Sequence, residues 1–177
     1  DQTPTRAEHW GAHRADREMQ RAILAGDAKT GVCIMRVGEK LDEGEVYARR
    51  EILINDLDTT ISLREKLNDL SVDLLRDAVR DGCGTGVAQT GEILYAKKIR
   101  SADLQIDWNT SATQILRQVR VGGAFSFVSG KRFKILQAKI VDIDSTAKRP
   151  GQICVVTKTE CVSATADSGL SLIELQP

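Results

Sequence analysis

Leu41-Asp42-Glu43-Gly44-Glu45 stands between two apolar, strand-prone runs, Gly31-Val32-Cys33-Ile34-Met35 and Val46-Tyr47-Ala48. β-Branched and aromatic residues suit a pleated backbone, so an acidic, glycine-containing interval between such runs reads as strand, turn, strand. A carboxylate on a turn of that kind is held rigidly and can point from the sheet edge into a cleft. Asp42 is therefore the first candidate functional residue. Upstream, Glu18 to Ala25 reads as the end of a helix, with Met19, Ala22 and Ile23 on one face and Gly26-Asp27 as its stop. Residues 1–17 are densely charged and show no convincing period.

Downstream, Asp58 to Arg80 carries the clearest helical pattern of the chain. Leu63, Leu67, Leu70, Leu74 and Ala78 recur at helical spacing, which makes one apolar stripe for core packing. Ser62-Leu63-Arg64-Glu65 fits a capping box near its start, and Gly82 suits its end. The run Gly82, Gly84, Gly86 invites a phosphate-loop reading, which needs a strand before it and a helix after it. Here a helix precedes and the strand-like Glu92-Ile93-Leu94-Tyr95 follows, so the stretch reads as a linker. The expected division is 1–84, a linker at 85–94, and 95–177.

The second part begins with Ile106-Asp107-Trp108 and an amphipathic helix at about Ser111 to Val119. Short strands are expected at Ala124 to Val128, Phe133 to Val141, Gln152 to Thr157, Cys161 to Ala164 and Leu170 to Leu175, with Ser129-Gly130-Lys131 as a hairpin turn. Five short strands with helical decoration suggest a small OB-like β-barrel, and the fold class is α+β.

At 177 residues the chain can form one medium or two small domains. Its 41% hydrophobic and 28% charged residues are those of a globular protein. No apolar run approaches the roughly 18 residues of a membrane helix, and Asp1-Gln2-Thr3-Pro4 is unlike a secretory signal. Cytoplasmic residence is expected, or organellar if a transit peptide was removed, with no membrane partner and a monomeric state. Cys33, Cys83, Cys154 and Cys161 lack metal spacing and read as reduced, mostly buried thiols. With His9 and His13 the only histidines, no metal site is expected. Net charge is zero, but residues 1–90 hold 13 Lys+Arg against 17 Asp+Glu, and residues 91–140 hold 9 against 3. The basic stretch suggests a polyanion contact on the second domain.

The ordered series Gln20-Arg21-Ala22-Ile23-Leu24-Ala25-Gly26-Asp27, Thr30 to Met35 and Leu41-Asp42-Glu43-Gly44 resembles the later part of the catalytic domain of methionyl-tRNA formyltransferases and other enzymes that take formyl from 10-formyltetrahydrofolate. The likeness continues through Asp58-Thr59, Ser62-Leu63 and Lys66-Leu67, then Tyr95-Ala96-Lys97-Lys98-Ile99 and Ile106-Asp107-Trp108. Gly123-Ala124-Phe125-Ser126-Phe127, Lys131-Arg132-Phe133-Lys134-Ile135 and Pro150-Gly151 complete it. The resemblance implies the terminal portion of an α/β formyltransferase domain followed by an OB-like domain, with the first half of the catalytic domain absent.

Formyl transfer to an amine passes through a tetrahedral carbon, so a proton must leave the amine, an oxyanion must be stabilised and the leaving nitrogen protonated. The resemblance implies an Asn, a His and an Asp for these tasks and places the Asp on Asp42. It also implies that the backbone of Val37, Gly38, Glu39 and Lys40 lines the pterin pocket of the formyl donor. The family's His-X-Ser-Leu-Leu-Pro stretch has no counterpart in residues 1–19; Arg6 stands about where the His is expected, and neither His9 nor His13 has the flanking motif. This chain alone is accordingly expected to show no useful turnover. The implied acceptor is initiator methionyl-tRNA, with Lys97, Lys98, Arg117, Arg120, Lys131, Arg132 and Lys134 meeting its phosphates. Two alternatives stay open at this point: a formyltransferase acting on an amino sugar nucleotide, and a non-catalytic RNA- or ribosome-binding relative.

Overall fold

Short runs rich in β-branched and apolar residues form the strands of this chain, and glycines at positive φ close several of its helix ends and turns. The computed structural model describes residues 12–37, 44–90, 96–144 and 148–177, with side chains from Arg17 onward. The chain divides into two compact units, Asp1–Lys98 and Ile99–Pro177.

In the first unit, helix α1 (Ala12–Ala25) leads into the antiparallel hairpin β1 (Lys29–Met35) and β2 (Val46–Leu53), followed by helix α2 (Thr60–Asp81). Glu18 to Ala25 is the end of α1 as expected, and the helix extends back to Ala12 because Ala, Arg and Glu are good helix formers even where no apolar stripe marks them. Met19, Ala22 and Ile23 are buried as expected, together with Val32 and with Leu63, Leu67 and Leu74 of α2. Gly26 ends α1 at φ 76°, a left-handed conformation that glycine adopts without strain. β2 runs on through Arg49-Arg50-Glu51, past the expected strand. These charges are accommodated because Lys29 Nζ pairs with Glu51 at 2.7 Å and Arg50 pairs with Asp77 of α2.

The start of α2 differs from the expected box. Thr59 is the N-cap: its hydroxyl accepts from Ser62 N–H at 3.2 Å, and Ser62 Oγ accepts from Thr59 N–H at 3.0 Å. Beneath this cap lies Asp58, only 4% exposed. Its carboxylate accepts from Asn55 N–H at 2.8 Å, Ser62 Oγ at 3.0 Å and Lys66 Nζ at 2.6 Å. Burial pushes the Asp58 pKa up, but the bonds from Lys66, Asn55 and Ser62 outweigh it and hold the group below its ordinary 3.8. A depressed folded pKa means that Asp58 stabilises the fold above pH 3.8 and that this contribution is lost as pH falls through the lower folded value. Asp58→Asn is thus expected to cost about 1.5–3 kcal/mol at neutral pH, with the gap to wild type closing below about pH 4. Urea midpoints of both proteins across pH check this; a gap that persists unchanged into strong acid would refute it.

In the second unit, a short helix α3 (Ser101–Leu104), not anticipated, precedes α4 (Ala112–Val121) and strands β3 (Phe125–Val128), β4 (Lys131–Val141), β5 (Ile153–Val156), β6 (Cys161–Ala164) and β7 (Gly169–Gln176). The five strands form one antiparallel sheet in the order β3-β4-β7-β6-β5. Irregularities at Ile135–Ala138 and Ile153–Val155 let it curl. The sequence suggested a small OB-like β-barrel; among the described residues β3 and β5 remain edges, and the sheet is a half-barrel. Ile106, Ile115, Val119, Ala124, Ile135, Leu170 and Leu172 make its core, with Trp108 and Phe133 against it. α4 is capped at its start by Ser111, and Asp167 from the β6–β7 turn accepts from Ala112 N–H at 2.8 Å.

The thiols depart from expectation. Cys33, Cys154 and Cys161 are half-buried and Cys83, beyond the end of α2, is exposed. Among the described residues no group of three His, Cys, Asp or Glu is placed to hold a metal ion. No described helix is long and apolar enough to cross a membrane.

Candidate functional site

The β1–β2 hairpin is built to fix the two ends of its connecting segment. Arg36 N–H donates to Glu45 O at 2.8 Å just beyond the last strand pair. Gly44 is required at this closure, since a Cβ there would lie 1.8 Å from Arg36 O. A similar approach fixes Gly31, where a Cβ would lie 2.3 Å from Arg50 O. From the glycine-rich stretch after α2, Gln89 Nε2 donates to Gly44 O at 2.7 Å, and Val87 and Val46 exchange backbone hydrogen bonds at 2.8 and 2.9 Å. Gly86 sits against Glu45 and Tyr47. This is not a phosphate loop; it is a brace on the hairpin. Gly44→Ala is expected to lower unfolding stability by about 1–3 kcal/mol as the stem is forced apart, read by thermal unfolding. An unchanged midpoint would show that the stem yields freely.

Asp42, with Gly38, Glu39 and Lys40, lies outside the described residues; Val37, at their threshold, is 95% exposed. Beside the hairpin stem is a cavity of ≈ 310 Å³, lined by Gly31–Cys33 of β1, Val46–Glu51 of β2 and Val87–Thr90. Its lining is mixed, with the apolar Val32, Val46, Ala48, Val87 and Ala88 beside the polar or charged Tyr47, Arg49, Arg50, Glu51, Gln89 and Thr90.

Lys97 and Lys98 belong to the first unit, where their carbonyls accept from Arg21 Nε and Nη2 at 2.9 and 3.1 Å, and their side chains are exposed. In the second unit Arg117 and Arg120 lie half-buried on α4. Lys131, Arg132 and Lys134 open β4, all exposed. The β3–β4 turn, Ser129 at φ 49° and Gly130 at φ 78°, is a two-residue hairpin turn whose twist matches its strands. It sets Arg132 opposite Phe127 and Lys134 opposite Phe125. These four share a face, whereas Lys131 pairs with Val128 on the other. The Arg132 guanidinium lies 3.8 Å over the Phe125 ring, and Phe125 and Phe127 meet edge to face at 5.8 Å. Sequence reading missed this aromatic partnership; the alternation Phe125-Ser126-Phe127 before a two-residue turn was its signal.

The matched motif Ile106-Asp107-Trp108 is architectural. Ile106 is core, and Trp108 Nε1 donates to Ser126 Oγ at 3.0 Å. Asp107 accepts from the backbone and side chain of Asn109 at 3.0 and 2.8 Å, which holds its carboxyl below the usual range. Gly151 of Pro150-Gly151 lies flush on Trp108, where a Cβ would be 3.1 Å from the ring.

A hairpin whose acidic connection is braced at its ends, followed by a curled antiparallel sheet with a basic start to its second strand, defines a two-unit architecture that matches a known group of transferases. The family model described as "Formyl transferase" matches residues 10–79, and that described as "Formyl transferase, C-terminal domain" matches residues 98–177. The chain belongs to the formyl transferase family. It is 34% identical over 172 residues to a methionyl-tRNA formyltransferase of Thermodesulfovibrio yellowstonii, covering 93% of this chain and 54% of that protein. The chain spans about half the length of the curated relatives it matches. Among solved structures, HypX from Aquifex aeolicus in complex with tetrahydrofolic acid aligns with a TM-score of 0.70 at 20% identity, over 90% of this chain and 29% of that one. An N-formyltransferase from Helicobacter canadensis, solved with folinic acid and dTDP-3-aminofucose, aligns at 0.66 and 12% identity, over 90% of this chain and 60% of that one. At such identities these two likenesses concern the fold.

Proposed function

We propose that this chain serves methionyl-tRNA formylation, the transfer of a formyl group from 10-formyltetrahydrofolate to the amine of initiator methionyl-tRNA. The observation that carries this reading is 34% identity to a protein of that name across both units. In the reaction the amine nitrogen attacks the formyl carbon and gives up a proton. The tetrahedral carbon then releases the folate nitrogen, which takes a proton in turn. Asp42 is assigned to orient an imidazole and favour its charged form, as an anion beside an imidazolium does. The backbone of Val37, Gly38, Glu39 and Lys40 is assigned to the pterin. Lys97, Lys98, Arg117, Arg120, Lys131, Arg132 and Lys134 are assigned to tRNA phosphates, which position the substrate without reading its sequence.

The test is a formylation assay on this chain and on its fusion to the remaining half of a matched relative, with 10-formyltetrahydrofolate as donor. Methionyl-tRNA and a dTDP-linked amino sugar are offered in competition. Formyl-methionyl-tRNA as the dominant product of the fusion is expected. Preference for the amino sugar, or tRNA binding with no product from the fusion, would overturn the reading.

A further inference from the structure

β4 carries four Lys+Arg and no Asp or Glu, yet charge alone does not distinguish its start from a solvated strand. What distinguishes it is the aromatic surface on the same face. Phe125 is buried beneath the Arg132 guanidinium, whereas Phe127, one step nearer the turn, leaves 51% of its surface to solvent. The edge-to-face contact with Phe125 fixes the plane of the Phe127 ring. Stacked on Phe125, the Arg132 side chain has already lost much of its rotamer freedom, and its in-plane N–H groups are presented ready for an anion. On the same face Lys134 stands opposite Phe125, its Nζ 3.5 Å from Gln176 Oε1.

We infer that Phe127 is a stacking platform for an unpaired RNA base, whose flanking phosphates are held by Arg132 and Lys134. A rigid exposed ring beside fixed cations is the combination by which proteins hold single-stranded nucleic acid, because every base has a π-face and every linkage a negative charge. A base-paired stem offers its phosphates to the cations but no free base to the ring. The surface therefore selects RNA with an unpaired nucleotide next to a stem. This inference rests on the reading of β4 as an RNA-contacting strand and adds a base contact to what was so far a phosphate contact.

The experiment uses the full chain and two RNAs, a blunt hairpin and the same hairpin with a four-nucleotide single-stranded 3′ extension. Wild type is expected to bind the extended RNA more tightly, and Phe127→Leu to weaken that binding by about 5- to 100-fold. The same variant should leave blunt-hairpin affinity and the salt dependence unchanged, since no charge is removed. Phe127→Tyr keeps the ring and should keep the affinity. With only three phenylalanines in the chain, ring-proton spectra report directly, and the extended RNA should shift the Phe127 signals upfield more than the blunt one does. Equal affinity of wild type for the two RNAs, a Leu variant as good as Phe, or unshifted Phe127 ring protons would each overturn the stacking. If instead neither RNA binds with any salt dependence, the RNA reading of β4 falls as well, so the two failures are told apart.

Discussion

Replacing Asp42 by Asn is expected to slow formyl transfer by about two to four orders of magnitude, in the fusion that supplies the rest of the catalytic half. The substitution keeps size and removes charge, so the imidazole it is proposed to orient loses both its anchor and the anion that favours its protonated form. The loss belongs in kcat, with folate and tRNA binding little changed, because the proposed role of the carboxylate is toward the acid–base group and not toward either substrate's anchoring. Single-turnover formylation and a parallel tRNA titration check it. Transfer near the wild-type rate would remove Asp42 from the chemistry. A collapse of tRNA binding would make it a structural residue of the hairpin.

The second large effect concerns affinity. Changing Lys131, Arg132 and Lys134 together to Ala should flatten the plot of log affinity for tRNA against log salt by roughly two to three units, one for each phosphate released. Only Arg132 among the three has a ring contact to lose. The face alternation also predicts an inequality: Arg132 and Lys134 share the surface with Phe127, whereas Lys131 points to the other side. Single substitutions should therefore show Lys131→Ala changing the slope least on RNA with an unpaired base. An unaltered slope in the triple variant would return the strand to ordinary solvated surface.

What could be read from the sequence was local. The α2 stripe, the Gly26 stop and the short strands of the second unit each follow from a few neighbouring residues and appear where expected, although of the stripe Leu63, Leu67 and Leu74 are buried while Leu70 and Ala78 are only half-buried. What escaped was non-local. The charged half of β2 reads as loop until Lys29 and Asp77 are brought beside Glu51 and Arg50. Closure of a barrel depends on whether two edge strands meet, and no local pattern encodes that. The same limit applies to the site. Asp42 could be singled out from its turn and its flanks, although it lies outside the described residues. The brace that holds its hairpin depends on Gln89 and Gly44, which are 45 residues apart. The Phe125–Arg132 stack needs only a two-residue turn, so it was legible in principle and passed over because the charges drew the reading.

The Arg36–Glu45 closure has a thermodynamic consequence. Holding the two ends of a chain segment at a fixed separation carries an entropy penalty that grows slowly with the segment's length. In this hairpin the penalty is settled when the protein folds, through strand pairing, the glycine contact at Gly44 and the Gln89 brace. If Val37 to Lys40 line the pterin pocket as proposed, binding of the formyl donor does not have to meet it again. Weakening the brace should then appear twice, as a lower unfolding midpoint and as a higher apparent KM for the formyl donor, and the two losses should track each other across a series of stem variants.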